Sequence, residues 1–92
     1  MKYTIRYSGQ FKRSYKLCKK RGFDMSKLEK VITILAQEGK LPEQYKPHKL
    51  VGKLWAGYWE CHIESNWLLV WDQNDTELVL LLLDTGTHSD LF

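Results

Sequence analysis

The 92-residue sequence has only two cysteines and two prolines, and beyond Lys53 not one lysine or arginine. Nor does it contain a long apolar run. The stretch Leu78-Val79-Leu80-Leu81-Leu82-Leu83 falls far short of the ~20 residues that a membrane helix needs. It reads instead as a strand buried on both faces. No segment near Met1 has the basic-then-apolar order of a secretion signal, so no membrane association is expected and the chain is expected in the cytoplasm. Thiols stay reduced there, and Cys18 and Cys61 read as small buried side chains. No HExxH or CxxC spacing appears, so no metal is expected. Gly52-Lys53-Leu54-Trp55-Ala56-Gly57 lacks the phosphate-loop pattern, and no cofactor is expected.

What is present is distributed unevenly. All 14 Lys and Arg lie at or before Lys53, among four acids, and seven acids follow. The cluster Lys12, Arg13, Lys16, Lys19, Lys20, Arg21 suits a polyanion. It also suits an acidic protein partner, or a solvated helix face. Hydrophobic residues make up 43% of the chain, enough for one core in one domain spanning residues 1–92.

Periodicity organises that domain. Lys2 to Tyr7 alternates as a strand. Ser8 can cap a helix in which Phe11, Tyr15 and Cys18 recur, with Gly22 ending it. Ser26 and Glu29 have the spacing of a capping box. Leu28, Val31, Ile32, Leu35 and Ala36 then form one apolar stripe, closed by Gly39. Residues 41–52, with Pro42, Pro47 and His48, read as loop, and Trp55 as a short strand or its lead-in. Tyr58 to Glu64 and Trp67 to Trp71 read as a hairpin turning at Ser65-Asn66, and Glu77 to Asp84 as the last strand. The expected fold is therefore α+β, in the order βααβββ, with a helical hairpin packed on one face of a mostly antiparallel sheet.

Strand parity locates chemistry on that sheet. Trp59, Cys61 and Ile63 should face the helices, and Tyr58, Glu60, His62 and Glu64 the open side. Cleaving RNA without a metal requires a proton taken from the 2′-hydroxyl and one given to the 5′-oxygen. It also requires charge stabilisation at phosphorus. Histidine suits both proton roles, and the chain has three, His48, His62 and His88. The four tryptophans are suited to stacking on bases, although their alternation within strands favours packing.

Four segments carry a resemblance: Tyr7-Ser8-Gly9-Gln10-Phe11, Tyr45-Lys46-Pro47-His48-Lys49-Leu50, Gly57-Tyr58 leading to Cys61-His62-Ile63-Glu64, and Thr85-Gly86-Thr87-His88-Ser89-Asp90-Leu91-Phe92. Together they resemble the YafQ branch of the RelE/ParE toxin superfamily over essentially the whole chain. The resemblance implies a helical hairpin on an antiparallel sheet. It also implies a ribosome-dependent mRNA endoribonuclease toxin, neutralised by a cognate antitoxin. It assigns His48, His62, His88, Glu60 and Phe92 to catalysis and gives the Asn66 position a part in binding substrate, while Arg6, Lys49 and Lys53 are expected at the substrate as the cations that would stabilise its charge. The ribosome and mRNA become the expected partners, and Lys12, Arg13, Lys16, Lys19 and Lys20 the expected rRNA-binding face. A non-catalytic relative of the gyrase-inhibiting ParE branch, or a translation inhibitor that only binds the ribosome, is the alternative. Three positions depart from the branch. Asn66 stands where close relatives have Asp, and Trp59 and Asp84 where many have Arg.

Overall fold

The computed structural model describes residues 1–52 and 55–92. Lys53, expected to meet substrate, lies outside the described residues. β1 (Thr4–Tyr7) leads to α1 (Gly9–Lys20) and α2 (Met25–Glu38), and a 3-10 turn at Glu43–Tyr45 follows. Then come β2 (His48–Lys49), β3 (Trp59–Glu64), β4 (Trp67–Asn74), β5 (Val79–Gly86) and the one-turn helix α3 (His88–Leu91). The sheet order is β1-β5-β4-β3-β2, parallel between β1 and β5 and antiparallel elsewhere. The α+β class and the hairpin on one sheet face are as the sequence implied.

Local chemistry sets the helix ends. Ser8 caps α1, its hydroxyl accepting from the Phe11 N–H at 3.0 Å. Past the other end, Phe23 N–H reaches the Cys18 carbonyl and Gly22 N–H that of Lys19, a reversal that Gly22 permits at φ +86°. The expected capping box at Ser26 is not used. Asp24 caps α2 by accepting from the Ser26 N–H at 3.1 Å, so the helix starts earlier, at Met25. Glu29 is drawn away to the Tyr15 hydroxyl, 2.8 Å distant. The apolar stripe is as expected: Leu28, Val31, Ile32, Leu35 and Ala36 are all buried.

The sheet departs from expectation in three places. His48 and Lys49, placed in a loop, form an edge strand paired with Glu60 and Trp59. β4 continues to Asn74, and its turn is shifted because the Asn74 Oδ1 accepts from Thr76 and Glu77 N–H. Over residues 79–83, β5 is buried on one side only: Leu80 and Leu82 are fully buried, while Val79, Leu81 and Leu83 are half-exposed. Helices cover just the first of these sides.

The main core joins Phe11 and the α2 stripe to Cys61, Ile63, Trp67, Leu69, Trp71, Leu80 and Leu82. Cys18 and Cys61 are free and buried, and burial pushes the Cys61 thiol up to about 12. A second, smaller cluster covers part of the opposite face: Leu68, Val70 and Leu91, with Leu50, Trp55, Tyr58 and Leu83 against it.

Candidate active site

The helix-free face carries the candidate residues, and the strand register brings them together. His48 pairs with Glu60, Glu60 with Val70, and Val70 with Asp84. Paired residues share a face, so one row crosses the sheet with a carboxylate on each side of Val70. The adjacent row runs His62, Leu68, Gly86, two residues short of His88.

His48 reaches its place through two backbone devices. Lys46 adopts a left-handed conformation at φ 50°, returning the chain toward β3. A turn over Trp55–Gly57 then closes onto Leu50, whose N–H donates to the Tyr58 carbonyl at 2.8 Å. The His48 Nδ1 lies 2.9 Å from the Lys46 carbonyl. A carbonyl can only accept, so Nδ1 carries the proton. Nε2 is left to exchange protons, and it faces Glu60 Oε1 at 3.2 Å. His62 repeats the arrangement, with Nδ1 3.2 Å from the Ser65 carbonyl and Nε2 free for chemistry. The two imidazole rings are 6.4 Å apart. A register shift between His62 and Glu64 breaks the regular pairing there, a device that re-aims side chains at strand ends.

Glu60 is far less accessible than an open-face residue should be. It is only 6% exposed, paired with Val70 of the second apolar cluster, and its Oε2 is buried without a hydrogen-bond partner. Asp84 is similarly buried, and its carboxylate accepts from the Thr85 N–H at 2.8 Å.

His88 opens α3, and its ring lies 5.0 Å from that of Phe92. Phe92 is 53% exposed, and 6.3 Å beyond it stands Trp55, itself 6.3 Å from Tyr58. The sequence offered Trp55 only as one of four tryptophans suited to stacking and favoured packing for most of them, and gave Tyr58 no role; the signal for this wall was two aromatics flanking Gly57 just before the histidine strand. Asn66 accepts from the His88 N–H at 3.0 Å, so it braces the turn that carries His88.

Two expected substrate contacts fall elsewhere. Lys49 neighbours His48 on a strand and so points the opposite way, its ammonium 5.7 Å from the Trp59 ring. Arg6 lines a cleft with Asp72, Asn74 and Glu77, on the edge strand three strands from His62. Of the expected basic face, Lys12, Lys16 and Lys19 line a cleft of about 470 Å³ with Tyr7, Phe11 and Tyr15. That cleft lies along the helices and away from the histidines. Arg13 bonds Gln10, and Lys20 ends the helix. Among the described residues, no three His, Cys, Asp or Glu side chains come together as a metal-holding group.

A helical hairpin on an open mixed sheet, with paired imidazoles and an aromatic wall on its bare face, defines a small toxin domain of the kind the sequence resembles. The chain belongs to the YafQ family, bacterial toxins of type II toxin–antitoxin systems, which it matches over residues 3–92. It is 42% identical over 89 residues to the mRNA interferase toxin YafQ of Escherichia coli, covering 96% of this chain and 94% of that one. The crystal structure of YafQ from E. coli superposes with a TM-score of 0.89 at 40% identity, with 98% of each chain covered. The toxin in the E. coli DinJ–YafQ complex gives 0.87 at 41% identity, again over 98% of each.

Proposed function

We propose that this chain is an mRNA interferase, an endoribonuclease that cuts messages on the ribosome by acid–base chemistry at the 2′-hydroxyl. The observation that carries the reading is the register of the bare face. His48 and His62 have their rings 6.4 Å apart, each with Nδ1 against a carbonyl, and His88 follows the end of the same rows. In the reaction one Nε2 takes the 2′-proton as the 2′-oxygen attacks phosphorus. A second imidazole gives a proton to the departing 5′-oxygen, leaving a 2′,3′-cyclic phosphate. Glu60 orients His48, and Phe92 with Trp55 holds a base beside the scissile bond.

The negative charge that develops at phosphorus needs a cation. Asp84 puts the wrong sign in the row, Lys49 faces the other side of the sheet, and Arg6 stands on the far edge strand, so the ribosome supplies much of this charge. Lys12, Lys16 and Lys19, with Arg13 and Lys20, form the face that meets rRNA. A cognate antitoxin is the protein partner, as in the related DinJ–YafQ complex.

Mapping mRNA 5′ ends in a translating lysate tests the reading. Wild-type chain should generate new ends within coding regions and His88→Ala should not. Intact messages with wild-type protein, or gyrase inhibited instead, would overturn it.

A further inference from the structure

His88 and Phe92 ride on a single helical turn, and one turn does not hold its shape in water unaided. Three other parts of the molecule restrain it. Asp90 accepts from the Thr87 N–H at 2.8 Å, while the Thr87 hydroxyl accepts from the Asp90 N–H at 3.2 Å. The same carboxylate takes both arms of the Arg21 guanidinium, at 2.7 and 3.3 Å. Asn66 takes the His88 N–H at 3.0 Å. Below the turn, Leu91 is buried on Leu68 and Val70. The carboxylate also stands directly over Gly86, where an added Cβ would lie 2.9 Å from Asp90 Oδ2.

We propose that Arg21 and Asp90 are positioning residues: their forked ion pair ties the end of α1 to α3 and fixes where His88 and Phe92 stand over the bare face. A partly exposed ion pair contributes little to global stability. A two-pronged guanidinium–carboxylate contact nonetheless specifies orientation, and a proton-transfer residue is sensitive to small displacements. The pair also removes Arg21 from the polyanion-binding cluster in which its sequence neighbours place it. This inference rests on the reading of His88 as a group that moves a proton.

Single-turnover cleavage of ribosome-bound mRNA and amide hydrogen exchange test it together. Arg21→Gln and Asp90→Asn should each lower kcat on the order of 10- to 100-fold, with KM within about twofold. The double variant should be no worse than the weaker single. Arg21→Lys, which keeps the charge but not the fork, should recover part of the loss. Exchange at residues 88–92 should quicken in the variants while that of β4 stays slow. Unchanged exchange at 88–92, or an unchanged kcat, would overturn the positioning role, as would a kcat loss matched by an equal loss of folded protein. His88→Ala cleaving as fast as wild type would instead overturn the functional reading beneath it.

Discussion

The two faces of the sheet are built from the same strands and behave as different materials. Toward the helices, β3 presents Cys61 and Ile63, β4 presents Trp67, Leu69 and Trp71, and β5 presents Leu80 and Leu82, all buried in one continuous core. One residue further along each strand the character reverses. Glu60 and His62 stand beside Leu68 and Val70, and the apolar cover shrinks to a handful of side chains. A period of two lets one chain invest alternate residues in stability and in chemistry. The division is imperfect where Glu60 and Asp84 lie buried on either side of Val70. There the bare face takes on carboxylate burial, which costs stability unless it is matched by hydrogen bonds.

Substitutions on each face should therefore move different observables. The largest effect is expected from His62→Ala, which should lower single-turnover cleavage by roughly 10²–10⁴-fold while leaving the urea midpoint unchanged. A large fall in that midpoint would mean that the bare face also holds the fold. Leu35→Ala should do the opposite, costing about 2–5 kcal/mol in equilibrium unfolding with kcat preserved in the fraction that remains folded. Asp84→Asn, and more so Asp84→Arg, should raise cleavage by about tenfold by removing a like charge from the phosphate's surroundings. No gain from either would show that Asp84 does not oppose the chemistry.

A smaller effect separates stability from activity at one residue. Glu60→Leu should raise stability by about 1 kcal/mol, because a buried oxygen without a partner is replaced by apolar surface, while cleavage falls. If thermal melting shows a loss instead, Glu60 is contributing to the fold through its contact with His48. The smallest signal concerns Cys61, whose thiol burial holds up to about 12. Alkylation at pH 8 should be slower than in urea-unfolded protein by the folding equilibrium, and fast labelling of native protein would mean that the main core opens locally.

The helices were legible in the sequence because their apolar residues recur at 3.6-residue spacing, as Leu28 through Ala36 does. Parity likewise separates His62 from Cys61. Other features depend on partners distant in the chain. The strand at His48–Lys49 is two residues long and exists only through its pairing with β3, so no local pattern announces it. Glu60 is buried between its strand partners His48 and Val70, which come from other parts of the chain, and parity alone cannot foresee that. Asp24 takes both the N–H and the hydroxyl of Ser26, and Tyr15, fourteen residues from Glu29, takes up the carboxylate that a box at Ser26 would need. Lys49 and Arg6 were chosen for charge alone. Once His48 is known to lie on a strand, the same alternation that placed His62 turns Lys49 to the other side.

The parallel pairing of β1 with β5 dictates the order in which a growing chain can assemble. Ser8 bonds the Leu83 carbonyl across 75 residues, so β1 waits at the edge of the sheet until nearly all of the domain has been synthesised. Closing so long a loop is slow, and the turn bearing His88 docks only on strands already in place. A chain in synthesis therefore cannot complete the bare face until β5 and the turn after it have been made.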